Sequence, residues 1–211
     1  MDDLAGSTGK TPKRIVAAIC GASGVIYGIR LIRALMAMPV ELHLVISDAG
    51  KTILAHEAGF AHASMVDFCE HQSMTFHPGA TLIELNPADG FAAIASGSFR
   101  HDGMVIAPCS MNTLAAVSAG ITDNLIHRAA DVCLKEGRPL ILVPRETPLS
   151  IIHLKNMLRL AEAGAVILPP CPGFYTNPAT IEALVDGIVA RILDWLGINS
   201  DIAPRWSGPG A

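Results

Sequence analysis

Charged and aromatic residues are scarce in this chain of 211 residues, at 16% and 5%, whereas 51% is hydrophobic and the mean hydropathy is +0.43. Because these charges are too few to cover the surface of a domain of this size, we expect part of the surface to be buried in a homo-oligomer larger than a dimer. No hydrophobic run reaches the roughly 20 residues of a membrane-spanning helix, and we therefore expect no membrane partner.

The chain also lacks a CxxC pair, a metal-ligand spacing of histidines and an excess of positive charge. We expect no metal site and no nucleic-acid partner, since the net charge is −4 and the pI is near 6.0. Residues 1–11 contain two acids and no apolar core, so they are not a secretory signal. The odd number of cysteines favours reduced thiols in the cytoplasm: Cys20, Cys69, Cys109, Cys133 and Cys171.

Short apolar runs alternate with amphipathic segments, which predicts an α/β fold: a flavodoxin-like or Rossmann-like, doubly wound parallel sheet in a single domain. We predict strands at 15–20, 40–46, 81–85, 102–107, 138–143 and 165–168, and helices at 25–38, 48–56, 112–119, 124–135, 150–163 and 178–196. Apart from its strand, the stretch 59–87 is interpreted as irregular. We divide the chain into a flexible N-terminus (1–12), one flavoprotein domain (13–198) and a tail (199–211) that contributes to the oligomer or the active site.

A glycine-rich turn, Gly21-Ala22-Ser23-Gly24, joins the first strand to the first helix. Glycine permits a sharp turn, and the free N–H groups at a helix start attract phosphate. The dinucleotide motif GxGxxG and the P-loop motif are both missing, so this turn predicts a different phosphate ligand. Ser23 is interpreted either as a ligand-facing hydroxyl or as an ordinary helix N-cap.

A second strand-to-helix loop runs from Ala107 to Thr113. Ser110, Asn112 and Thr113 offer hydroxyl, amide and N–H groups without charge, which suits a phosphate or a polar ring edge. A simple capped helix start would explain the same residues. Cys109 beside Pro108 is interpreted as a packed small residue and not as a nucleophile.

Arg128 lies in a helix of small and apolar residues, so we expect it to face an anion. The alternative is a surface ion pair with Asp131 or Asp123. On the same helix, Asn124 shares a face with Arg128 at spacing i, i+4. His127 is expected to face solvent or a neighbouring subunit.

Arg145 and Glu146 stand at the end of a strand between two prolines, which restrict the backbone. Doubly wound enzymes bind their ligands at this edge of the sheet, and the alternative is a weak surface ion pair. Farther along, the Tyr175 phenol together with the cations Arg191 and Lys135 would suit a second phosphate. Taken alone, Arg191 fits a solvated helix position equally well.

In this order the sites resemble the UbiX-type flavin prenyltransferases. The resemblance runs from Arg14 to Trp206 through the segments GASG, VISDAG, ASGSF, PCSMNTLA, NLIHRAADV, LVPRETP, HLKNM, GAVILPPCPGFY and ARIL. It implies a flavodoxin-like sheet, dodecamers with active sites at subunit interfaces, and no metal. It also implies that a dimethylallyl group is joined through C1 to N5 of reduced FMN and then to C6. The product, prenylated FMN, serves UbiD-type decarboxylases.

The resemblance further implies roles for individual residues. FMN would be bound by Gly21, Ala22, Ser23, Ser47, Ser110, Met111, Asn112, Thr113 and Arg128. Dimethylallyl phosphate would be bound by Lys135, Arg145, Tyr175, Arg191 and Trp206. Ser23 and Glu146 would be catalytic, as a proton relay.

Two positions depart from the family pattern. Asn112 stands where many members carry lysine, and Gly90 and Phe91 occupy the neighbourhood of the family's usual tryptophan. A reduced aromatic wall predicts a changed allyl donor or slower ring closure. Two other functions stay open. One is an FMN-dependent cysteine decarboxylase, which Asn112-Thr113 fits and which would need a histidine such as His56 or His62. The other is a non-catalytic flavin carrier or accessory subunit of a decarboxylase. The PRE and GFY segments favour prenyl transfer.

Overall fold

The computed structural model describes residues 12–206 and residue 208. Six parallel strands form one sheet in the order β3-β2-β1-β4-β5-β6. They are β1 Lys13–Ile19, β2 Val40–Ile46, β3 Thr81–Leu85, β4 Gly103–Cys109, β5 Leu140–Pro144 and β6 Val166–Ile167. The predicted doubly wound α/β fold is confirmed. The strand order reverses between β1 and β4, and such a reversal opens a ligand crevice at the carboxyl edge of the sheet.

Seven α-helices and one short 3-10 helix occur in the part of the chain that the structure describes. The helices are α1 Val25–Met36, α2 Asp48–Ala58, α3 Met65–His71, α4 Met111–Ser118, α5 Leu125–Lys135, α6 Ile151–Glu162 and α7 Ile181–Trp195, with the 3-10 turn at Ala93–Ala95. Within residues 12–206, none of them combines the length and the apolar character needed to cross a bilayer.

The apolar runs of the central strands follow from burial on both faces of the sheet. In β1, Ile15, Ala17 and Ile19 belong to one buried cluster, whereas Val16 and Ala18 belong to the cluster on the other face. Alternate side chains point to opposite faces, so a strand covered by helices on both sides is apolar throughout.

Close packing draws α1 onto the sheet near its carboxyl edge. A Cβ atom at Gly28 would lie 2.5 Å from the carbonyl oxygen of Ala107, so only glycine permits this approach of α1 to β4. The start of α1 is thereby held beside the end of β4, where the two predicted ligand loops lie.

The stretch 59–87 is more regular than predicted, because it contains α3. The Ser64 hydroxyl accepts the N–H of Asp67 at 3.1 Å and caps the helix. Met65, Phe68 and Cys69 are buried at spacing i, i+3, i+4. This amphipathic turn was present in the sequence, but it is only seven residues long.

Strand β4 extends past its predicted end at Ala107. Pro108 has no N–H to donate, but its carbonyl accepts the N–H of Cys20 at 3.2 Å, and the pairing resumes at Cys109 after a register irregularity. The predicted flexible N-terminus falls almost wholly on residues 1–11, which lie outside the described residues, as do 207 and 209–211 of the predicted tail.

Candidate active site

The loops that follow β1, β2, β4 and β5 meet at the carboxyl edge of the sheet, because parallel strands end on the same side. This edge brings together Ser23, Ser47, Ser110 and Arg145. Ser47 caps α2 by accepting the N–H of Gly50 at 3.0 Å. Several helix N-termini therefore point at one region, and their first N–H groups have no partner within the helix.

Ser110 caps a helix and also lies in a loop that could bind a ligand, the two interpretations that the sequence left open. Its hydroxyl caps α4, accepting the Thr113 N–H at 3.2 Å and donating to the Thr113 hydroxyl at 3.1 Å. These two side chains satisfy each other, which leaves the N–H groups of Met111 and Asn112 in the first turn of α4 for a ligand. The Asn112 side chain is exposed at the same edge.

The N-terminus of α1 is filled by the chain itself. Gly24, with φ +98°, is the N-cap, so Ser23 is not the cap. The Glu57 carboxylate, from the last turn of α2, accepts the N–H groups of Gly24 at 2.8 Å and Val25 at 3.1 Å. The glycine-rich turn thus binds a carboxylate where we expected a phosphate, and Glu57 was missed because no motif marks it.

The Ser23 hydroxyl is close enough to act on the pKa of the Glu57 carboxylate. Burial alone would raise the pKa of Glu57, but Ser23 and the bonds from the two N–H groups, with the Arg145 charge, outweigh burial and lower it. Arg145 closes the group, because its Nε donates to the Ser23 carbonyl at 2.9 Å. An ionised carboxylate, a hydroxyl and a guanidinium therefore meet at the β1–α1 loop.

The predicted catalytic residue Glu146 adjoins this group at the end of β5. Its carboxylate accepts the N–H of Thr147 at 2.9 Å, and its side chain is exposed. The relay between Ser23 and Glu146 stays a prediction.

Two adjoining cavities of about 240 and 230 Å³ lie between α2, α5 and the loop after β3. Ser47 lines the first and Arg128 the second, and Asn124 lines both. Arg128 donates through Nε to the Ala95 carbonyl at 3.0 Å and forms an ion pair with Asp131 at 3.0 Å. The guanidinium is therefore held in place at the wall of a cavity, where the ion pair with Asp131 is present and the binding of an anionic ligand stays a prediction.

The expectation for His127 is wrong. Its side chain is buried, and its Nδ1 lies 2.5 Å from the Asp123 carboxylate one helical turn earlier. The reason is the start of α5: Asn124 is the N-cap and accepts the His127 N–H at 2.9 Å, which directs this turn into the protein.

A larger cavity of about 490 Å³ brings together Tyr175, Arg191 and Trp206, three of the five residues that the resemblance assigns to dimethylallyl phosphate. The Tyr175 and Trp206 rings meet edge to face at 5.6 Å. Cys171 also lines this cavity, and the pKa of Tyr27 is raised by burial and then by Cys171. The Tyr27 ring in turn lies beside Gly24 of the β1–α1 loop.

Lys135 lies elsewhere in the protomer. It is the last residue of α5 and does not line the cavity of Tyr175 and Arg191. It forms an ion pair with Glu136 at 3.0 Å. One protomer therefore does not bring Lys135 to the Tyr175–Arg191 cavity.

The buried cysteines are not poised for chemistry. Burial raises the pKa of Cys20 to about 11 and that of Cys109 well above its usual range, which confirms Cys109 as a packed residue. Across residues 12–206, no three histidine, cysteine or acidic side chains are grouped so that they would hold a metal ion.

Residues 4–193 match the family described as Flavoprotein. Flavin prenyltransferase PAD1, mitochondrial, of Saccharomyces cerevisiae is 49% identical over 93% of this chain and 76% of its own length. Flavin prenyltransferase UbiX of Pseudomonas aeruginosa is 48% identical over 92% of this chain and 94% of its own.

Solved structures of similar proteins point to the same family. A dodecameric FMN-dependent UbiX-like decarboxylase from Escherichia coli O157:H7 is similar at TM-score 0.83 and 46% identity, covering 92% of this chain and 100% of that one. AnUbiX (PadA1), in complex with FMN and dimethylallyl pyrophosphate, is similar at TM-score 0.84 and 45% identity, covering 93% and 98%. The FMN-dependent cysteine decarboxylase TvaF, at 16% identity and TM-score 0.57, shares the fold alone.

Proposed function

The chain belongs to the flavoprotein family and, within it, to the UbiX-like flavin prenyltransferases. We propose that it joins a dimethylallyl group from dimethylallyl phosphate to N5 and C6 of reduced FMN. One structural observation carries this assignment. A carboxyl edge rich in neutral hydrogen-bond donors adjoins a separate cavity walled by a phenol, an indole and a guanidinium. The first suits a flavin and the second an allylic phosphate.

FMN fits the carboxyl edge. Ser47 and the Ser110–Thr113 turn present hydroxyl and N–H groups from two helix starts, and Arg128 supplies a positive charge at the cavity wall. Because Glu57 already occupies the start of α1, the FMN phosphate belongs at α2, α4 and α5. Reduced FMN supplies the two nucleophilic ring positions of the reaction.

The allylic phosphate belongs between Arg145 and the larger cavity. As the C1–O bond breaks, its electron pair leaves with the phosphate, and Arg145 and Arg191 stabilise that anion. No metal ion is needed for this, since the guanidinium groups provide the charge. The Tyr175 and Trp206 rings are exposed in one protomer, and once a neighbouring subunit covers them they would exclude water from the allylic cation while its C1 bonds to N5.

Proton transfer accompanies each bond-forming step: N5 and C6 each lose a proton, and the allyl double bond gains one when the ring closes onto C6. In this proposal the Ser23 hydroxyl and the ionised Glu57 carboxylate accept a proton at the flavin, and Glu146 extends the relay toward the departing phosphate. Glu57 thus adds a second carboxylate to the pair implied by the resemblance.

A homo-oligomer completes the site. The outer face of α6 exposes Ile151, Ile152, Leu154 and Leu158, an apolar surface suited to another copy of the chain. In a dodecamer a neighbouring subunit would supply Lys135, which lies far from the cavity of its own protomer. We place the enzyme in the cytoplasm, in keeping with its reduced thiols, although the yeast relative is named mitochondrial.

The product acceptor in this proposal is a UbiD-type decarboxylase. Incubation of the protein with reduced FMN and dimethylallyl phosphate, followed by absorbance of the flavin in a single turnover, tests the assignment. A new flavin spectrum that needs both substrates supports prenyl transfer. FMN binding with an unchanged spectrum would instead indicate a flavin carrier.

A further inference from the structure

The C-terminal tail reaches the larger cavity through one ion pair. Residues 199–206 contain neither helix nor strand, yet Trp206 ends beside Tyr175. The Arg205 guanidinium donates to both oxygens of Asp194 on α7, at 2.8 and 3.1 Å, and to the Ser200 carbonyl at 3.2 Å. A two-point contact between planar groups fixes orientation as well as distance.

The same carboxylate also faces Arg191, at 3.5 Å. The hydrogen bond from Arg205 lowers the pKa of Asp194 against the opposing effect of burial, and the charges of Arg205 and Arg191 lower it further. Asp194 therefore stays ionised and lies between two arginines that line one cavity. One arginine adjoins Trp206, and the other is the proposed phosphate ligand.

We propose that Asp194 and Arg205 are positioning residues that seat Trp206 against Tyr175 and orient Arg191, and thereby set the affinity for the allylic phosphate. The inference rests on the proposed function for the identity of that ligand. Trp206 itself follows Arg205 directly, so release of the guanidinium frees the indole.

Loss of the Arg205–Asp194 ion pair should change the cavity without lowering the stability of the fold. The Arg205 and Asp194 side chains are 53% and 28% exposed, and ion pairs of this kind contribute little to global stability. Upstream, Ile198 and Ser200 are buried and anchor the tail independently of the pair. Only the last residues before Trp206 depend on Arg205.

The variant Arg205→Met tests the proposal. We expect KM for dimethylallyl phosphate to rise about 1.5- to 5-fold, the factor that an exposed ion pair is worth, while kcat and the Kd for FMN are unchanged. Trp195→Phe leaves Trp206 as the only tryptophan of the chain. In that background, iodide should quench the Trp206 fluorescence more strongly in Arg205→Met than in the protein that keeps Arg205.

Asp194→Asn should have the same effect on quenching, and the double variant should be quenched as strongly as either single variant, because each removes the Arg205–Asp194 contact. The effect of Asp194→Asn on KM should be at least as large, since the contact with Arg191 is lost as well. Arg205→Lys should recover part of KM. Arg100→Met is the matched control: it removes an exposed arginine at the amino edge, and KM and quenching should stay at wild-type values.

Wild-type KM and quenching in Arg205→Met would overturn the proposal. The quenching measurement needs no substrate, so it remains decisive if the wild-type protein forms no prenylated flavin. The absence of prenylated flavin in the wild type would refute the proposed function, and quenching alone would then test the position of Trp206.

Discussion

Replacing Glu57 with glutamine removes the charge that links α2, the start of α1 and Ser23. Glutamine keeps an acceptor oxygen for the N–H groups of Gly24 and Val25, which lie 2.8 and 3.1 Å from the carboxylate. What is lost is the attraction between a negative charge and a helix start, typically about 0.3–1 kcal/mol at an exposed site. For a chain of this size that corresponds to a fall in Tm of roughly 1–4 °C.

Activity should fall much further than stability. If Glu57 accepts a proton through Ser23, the Glu57→Gln variant should form prenylated flavin about 10²–10⁴-fold more slowly. The Kd for FMN should hold, because the phosphate ligands Ser47 and Arg128 are untouched. Glu70→Gln, on the exposed face of α3, is the matched control and should behave as the wild type.

The pH dependence gives an independent check. Folding lowers the pKa of Glu57, so its stabilisation is fully present above the ordinary value of 4.5 and is lost as the pH falls through the folded value. The Tm difference between wild type and Glu57→Gln should therefore be constant near neutral pH and shrink below about pH 4.5. Wild-type turnover and Tm in the variant would refute both roles of Glu57.

Three further outcomes are expected. Glu146→Gln should retain FMN binding and slow prenyl transfer about 10²–10⁴-fold, and combination with Ser23→Ala should be less than additive. Turnover at the wild-type rate would remove Glu146 from the relay. Titration should show binding of FMN and not of NAD, since GxGxxG is missing. Light scattering should report an assembly larger than a dimer that Ile152→Lys on α6 weakens, and a stable wild-type monomer at micromolar concentration would contradict this.

The periodicity of the sequence predicted most of the fold, because its signals are local. Strand β2 occupies the predicted residues 40–46, and strand β3 the predicted residues 81–85. The helix α3 was missed although Ser64 and Asp67 form a recognisable cap, since a single amphipathic turn among histidines and small residues gives little periodic signal.

The site was less predictable because its contacts are not local. The turn at Gly21–Gly24 was evident, but its carboxylate partner lies 33 residues away on another helix. The sequence grouped Lys135 with Tyr175 and Arg191, but in the folded protomer it lies outside their cavity. The pairing of Tyr175 with Trp206 depends on how the tail folds back on α7, which no spacing encodes.

Mass spectrometry of the flavin after incubation with reduced FMN and dimethylallyl phosphate tests the central claim most directly. We predict a flavin heavier than reduced FMN by C5H8, because the dimethylallyl group replaces the proton on N5, and the proton lost from C6 on ring closure is matched by one gained on the alkyl chain. Its amount should depend on both substrates and fall in Glu57→Gln. Recovery of unmodified FMN alone from folded, FMN-binding protein would contradict the assignment as a flavin prenyltransferase.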